Sequence, residues 1–147
     1  RAKFLTTTAK QPHPYEFIHN ELGYNFRMPN INAALACAQL EKLDKFLEKK
    51  RILASNYENF FSKKGIKFRK ETKNTRANYW LNAILLGDRV SRDEFLGYTN
   101  EKGIMTRPMW TPMHTLPMFA DGAISSLKNT ESIESRLVCI PSGVPAL

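Results

Sequence analysis

The stretch NINAALACAQLEKLDKFLEKKRILASNYENFFSKKG, residues 30–65, decides how the chain is read. Pro29 and Asn30 give a helix start, with Asn30 placed as its N-cap. Ile31, Ala34, Leu35 and Ala38 share one face. Leu40, Leu43, Phe46, Leu47, Leu53, Tyr57, Phe60 and Phe61 then recur at three and four residues, the helical period. Gly65 supplies the stop. A helix of that length would extend about 50 Å at 1.5 Å per residue. That exceeds an average globular helix, so a bend or break is expected near Lys49 to Arg51. The Ala-rich first turns let another backbone come close, as plain packing or as the border of a site or interface.

Downstream of Gly65 the period changes. Ile66-Lys67-Phe68-Arg69 alternates like a half-buried strand, and Tyr79 to Leu86 reads as a second, more buried one. Ser91 is placed to cap a helix from Arg92 to about Lys102, with Glu94 completing a capping box and Gly103 ending it. Ile104 to Arg107 reads as a third strand. Together these elements predict an α+β fold, a long helix packed on a small antiparallel sheet. From Pro108 the chain turns irregular, with Pro112 and Pro117 among Met109, Trp110, Met113, His114, Met118 and Phe119. Prolines fix such a loop while its large apolar groups wall either a core edge or a pocket. A short helix is expected within Ile124 to Leu137, and the chain stops at Leu147 without a terminal element. Upstream, Arg1 to Gly23 reads as an extended connection, broken by Pro12 and Pro14.

The 147 residues are 42% hydrophobic and 24% charged, which excludes a disordered chain. The apolar runs Ala33–Ala38 and Ala83–Leu86 fall far short of the ~20 residues of a membrane span. Cys37 and Cys139 are too few for a disulfide scaffold and lack metal-ligand spacing; both are expected to be buried thiols of a cytoplasmic protein. The net charge of +8 raises a stand-alone basic module for nucleic acid or acidic glycans as the alternative function. Lys63, Lys64, Lys67, Arg69, Lys70, Lys73 and Arg76 nevertheless crowd one short stretch, which reads as a solvated face.

No Gly-rich phosphate loop, metal-ligand set or nucleophile elbow is present. His13 lies between prolines and reads as a surface residue. His19 is balanced between a structural hydrogen bond and a ligand contact, while His114, in the proline-rich loop, is the stronger ligand candidate.

The segment from His19 through Gly23-Tyr24-Asn25-Phe26-Arg27-Met28 runs on into Asn30-Ile31-Asn32-Ala33-Ala34 and Ala38-Gln39-Leu40. It closely resembles the DegT/DnrJ/StrS-type sugar aminotransferases, which depend on pyridoxal 5'-phosphate and share the fold type I architecture. Gly103-Ile104, Thr106-Arg107-Pro108, Trp110, Pro112 and His114 form a second match, and Ile140-Pro141-Ser142 a third. The resemblance covers essentially the whole chain and is nearest to enzymes that aminate 4-keto-6-deoxy nucleotide sugars, as in legionaminic acid, bacillosamine or perosamine pathways.

That resemblance implies a C-terminal portion of such an enzyme. Residues 1–29 would connect to a preceding large domain, and 30–147 would form the small domain, truncated at its end. The lysine that carries the cofactor would lie upstream of Arg1, so no lysine here is assigned a catalytic role, and the chain alone would be inactive. Asn25 matches the asparagine that reaches the cofactor phosphate of the partner subunit in a homodimer; alternatively it is a left-handed turn residue. Arg27 matches a charged residue near the same interface, where it pairs with an anion or anchors the loop. His19, Arg27, Trp110 and His114 are the candidate contacts to the nucleotide-sugar substrate, with glutamate as amino donor. Stacking on a sugar face suits Trp110, although a rigid lid over the core would use the same residues. No metal, membrane or nucleic acid is expected as partner.

Overall fold

The structure is a computed structural model that describes residues 1–119, 121–122 and 125–144. The chain divides into two compact units, Arg1–Leu43 and Asp44–Leu147.

In the first unit a short helix, α1 (Ala2–Thr6), leads into irregular chain and then α2 (Asn30–Leu40). Pro29, not Asn30, is the N-cap, and no side chain caps this helix. None of its residues is buried: Ile31 is 81% exposed and Leu35 63%. Cys37, expected inside, is exposed with the rest of the helix.

All of α3 (Leu43–Ser62) except its first residue belongs to the second unit. The long helical pattern is thus interrupted at Glu41–Lys42 instead of Lys49–Arg51. Asp44 stands in the first turn of α3, where a carboxylate complements the helix dipole. The basic triplet does not interrupt the helix, and two of its side chains reach out to loops. Lys50 Nζ donates to the Ser142 and Trp80 carbonyls. Arg51 bonds the Glu71 carboxylate and the Ala77 carbonyl. Gly65 ends α3 as expected. At φ 70° it lets Ile66 N–H return to Phe61 O at 3.0 Å while its own N–H reaches Ser62 O at 3.1 Å.

Four strands follow in the order β1-β2-β4-β3, every pair antiparallel: β1 (Lys67–Phe68), β2 (Asn82–Leu85), β3 (Arg107–Pro108) and β4 (Leu137–Ile140). β3 lies C-terminal to the expected Ile104–Arg107. Its Pro108 lacks an N–H, which an edge strand tolerates. Ala54, Phe61, Phe68, Ile84, Val138 and Ile140 form the buried core, with Tyr57, Phe95 and Leu96 packed against it. Ala54, Tyr57 and Phe61 supply the stripe of α3, at helical spacing. Phe60, read as part of the same stripe, is 56% exposed. Cys139 is only partly buried, and burial pushes its thiol up from the usual range.

α4 (Arg89–Glu101) starts earlier than read. Asp88, not Ser91, is its cap, and its carboxylate accepts the Ser91 N–H at 2.7 Å. α5 (Lys128–Glu134) fulfils the expected short helix. Ile124 and Leu147 lie outside the described residues. Buried Arg92 ties α4 to α5 by donating to the Glu134 carbonyl at 3.0 Å and to its carboxylate at 3.2 Å. The seven cations from Lys63 to Arg76 are all exposed, as a solvated face requires.

Candidate functional site

In the first unit the Thr6-Thr7-Thr8-Ala9 turn gathers three of the candidate residues. Thr8 and Ala9 both take left-handed conformations, at φ 71° and 50°. A β-branched residue rarely adopts this, so the surrounding chain must hold it there. Much of the hold is visible: Thr8 N–H donates to Tyr24 O at 2.9 Å, and Tyr24 N–H and Phe26 N–H donate to Leu5 O and Thr6 O. Gly23 makes the approach feasible. A Cβ there would stand 2.4 Å from both Ala9 N and the Thr8 carbonyl carbon, and Ala9 is fully buried.

Around this turn, His19 Nδ1 lies 2.7 Å from Thr8 O. Asn25 bridges Thr7 in antiparallel register, and Arg27 Nη2 makes a long 3.5 Å contact to Thr7 O. Asn25 is absent from the left-handed region that Thr8, Ala9, Asn74 and Tyr79 occupy. That removes the left-handed form of the turn reading, while the side chain still closes an Asx turn onto the Arg27 backbone. Its Oδ1 accepts the Arg27 N–H at 3.3 Å, while its amide NH₂ has no partner among the described residues. The amide of Asn25 and the guanidinium of Arg27 are therefore available donors on one short, exposed segment. This donor set suits a phosphate: the amide adds a hydrogen bond and the guanidinium adds charge. His19 spends one ring nitrogen on the turn, which favours a structural share in its role.

In the second unit the Pro108 to Phe119 loop separates its two candidates. Trp110 is 62% exposed and stacks on Trp80, with ring centroids 6.2 Å apart and planes 25° apart. His114 is mostly covered, and its Nε2 lies 3.3 Å from Glu131 Oε1 of α5. It lines a cavity of about 450 Å³ with Met113, Phe119 and Leu127, and Trp110 is not part of that lining. Trp110 and His114 thus face different surroundings.

The reading of residues 79–86 as a buried strand hid Trp80. The chain departs from strand geometry before β2, Tyr79 takes φ 47°, and Trp80 is left 65% exposed. The Ile140-Pro141-Ser142 segment has a structural role: Ser142 Oγ accepts the Asn82 N–H at 2.7 Å and donates to Ile140 O at 2.6 Å. No cluster of three metal-ligating side chains occurs among the described residues.

The model of the DegT/DnrJ/EryC1/StrS aminotransferase family matches residues 2–146. EpsN of Bacillus subtilis (strain 168) is 34% identical over 97% of this chain, which spans 38% of EpsN. A GDP-perosamine synthase of Escherichia coli O157:H7 is 37% identical over 72% of this chain and 29% of its own length. Among solved structures, the aminotransferase TlmJ from Streptoalloteichus hindustanus superposes with a TM-score of 0.85 at 20% identity. That superposition covers 100% of this chain and 40% of TlmJ. At that identity the likeness establishes the α+β fold. The chain spans well under half the length of these relatives.

Proposed function

The chain belongs to the DegT/DnrJ/EryC1/StrS aminotransferase family, and we propose that its protein moves an amino group from glutamate to a keto-sugar nucleotide with pyridoxal 5'-phosphate. The keto sugar would be a 4-keto-6-deoxy type, a reading supported by the perosamine synthase among the relatives. The cofactor supplies the electron sink for exchanging an amino group with a carbonyl. In this proposal the cofactor lysine lies upstream of Arg1, with residues 1–29 a connecting segment and 30–147 the small domain of a homodimer. A cytoplasmic location fits the two free cysteines. None of the helices among the described residues is long and apolar enough to cross a membrane.

The observation that carries this reading is the free amide of Asn25, held by the bridge to Thr7 and set in an extended segment. Asn25 donates to the cofactor phosphate, and Arg27 adds positive charge two residues on. The hydrogen-bonded turn below them fixes the backbone that carries both donors, which lowers the ordering cost of binding. Trp110 offers its exposed indole to the sugar, and His114 closes the same loop against α5.

A cofactor titration of the full-length protein tests this. Removing a hydrogen bond to a charged group costs roughly 1.5–3 kcal/mol. Asn25→Ala is expected to weaken pyridoxal phosphate binding about ten- to a hundredfold. Unchanged affinity would show that Asn25 serves the fold alone.

A further inference from the structure

The second unit holds a cavity of about 410 Å³ lined by Lys50, Trp80, Leu81, Met105, Arg107 and Ser142, among others. Two features set it apart. It contains two cations and no carboxylate among its described lining residues. It also has an exposed tryptophan in its wall, whose stack on Trp110 still leaves Trp80 65% exposed.

The cavity beside β1 makes the comparison. That space, about 540 Å³, is lined by Lys67, Arg69, Lys70 and Arg136, but Glu58 and Glu71 line it as well. Lys70 pairs with Glu58, and Glu71 with Arg51. Its two carboxylates would oppose an entering phosphate, and its aromatic side chain, Phe68, is buried. At the tryptophan cavity Lys50 spends two of its three ammonium protons on the carbonyls of Ser142 and Trp80 and pairs with no carboxylate among the described residues. Arg107, on the edge strand β3, is exposed and has no side-chain partner among the described residues. A flat apolar wall beside two uncompensated cations matches a ligand that joins an aromatic ring to negative charge.

We propose that this cavity takes the nucleoside diphosphate half of the sugar nucleotide, with the base stacked at Trp80 and the phosphates drawn to Arg107 and Lys50. The proposal rests on the sugar-nucleotide reading above and adds the place where the nucleotide sits. Trp80, Lys50 and Arg107 are binding residues here; none takes part in bond making.

Isothermal titration of the full-length protein with UDP, GDP and dTDP, and separately with inorganic pyrophosphate, tests it. At least one nucleoside diphosphate is expected to bind more tightly than pyrophosphate. Trp80→Leu and Arg107→Gln are each expected to weaken that nucleotide about tenfold. Trp80→Leu should leave pyrophosphate unchanged, and Lys73→Gln, an exposed cation outside the cavity, should leave both unchanged. Arg107→Gln removes an exposed side chain with no intramolecular bond, so it keeps the test valid if Trp80→Leu fails to fold. Wild-type affinity for the nucleotide in Arg107→Gln and in any folded Trp80→Leu would overturn this cavity while leaving the sugar-nucleotide reading standing. Binding of none of the three by the wild type would overturn that reading as well.

Discussion

Glu71 accepts hydrogen bonds from both Arg51 terminal nitrogens, at 2.7 and 3.1 Å, and from the Ala77 N–H at 2.7 Å. The Arg51 bonds, then that backbone bond, hold its carboxyl at about 2, below the ordinary 4.5. A carboxyl depressed in the folded state stabilises above its unfolded value, and that contribution is lost as pH falls through its folded value. Acid unfolding followed by circular dichroism should therefore show stability falling between pH 4.5 and about 2, and less steeply in Glu71→Gln. Equal slopes would mean that Glu71 leaves the acid limb unchanged. At this scale motifs singled out candidate residues but not their surroundings. Asn25 could be singled out from Gly23-Tyr24-Asn25-Phe26-Arg27-Met28, although its free amide could not. Trp80 was hidden because apolar composition around it resembles a buried strand, and only the left-handed turn at Tyr79 brings it to the surface.

α4 tests how far helix chemistry can be carried. It ends as α3 does: Gly103 at φ 75° lets Ile104 N–H reach back to Thr99 O at 2.8 Å. Added Cβ atoms at Gly97, inside α4, and at Gly103 would both meet open space. The two positions then differ in backbone alone. Gly97→Ala should stabilise by about 0.5–1 kcal/mol, through lower entropy of the unfolded chain. Gly103→Ala should destabilise by about 1–2 kcal/mol, because alanine resists left-handed backbone. Urea unfolding of the two variants checks the pair, and equal signs would refute the backbone argument. Both glycine stops were legible because the stop depends on one local residue. The break at Glu41–Lys42 was not, since neither glycine nor proline marks it. Asp88 was passed over as a cap because Ser91 with Glu94 formed the more familiar pattern. β4 was missed as a strand for a different reason: Leu137 to Ile140 is a short apolar run, and pairing with β2 and β3 across long separations settles its state.

For the whole molecule, the α+β architecture followed from the order of helix, strands and helix, and the family from motifs spread along the chain. The sequence pattern could not show that α2 would carry no buried residue, because an apolar helix face looks the same whether or not it is covered. In the proposed division of labour this chain would supply phosphate and sugar-nucleotide contacts, and the lysine that carries the cofactor would come from a preceding domain. The most direct measurement is 2-oxoglutarate formation from glutamate, with pyridoxal phosphate and a 4-keto-6-deoxy nucleotide sugar, by the full-length protein and by the 147-residue chain side by side. Turnover by the full-length protein, with the shorter chain no faster than free cofactor, is the predicted result. Turnover by the 147-residue chain above that background, or none by the full-length protein, would contradict the account.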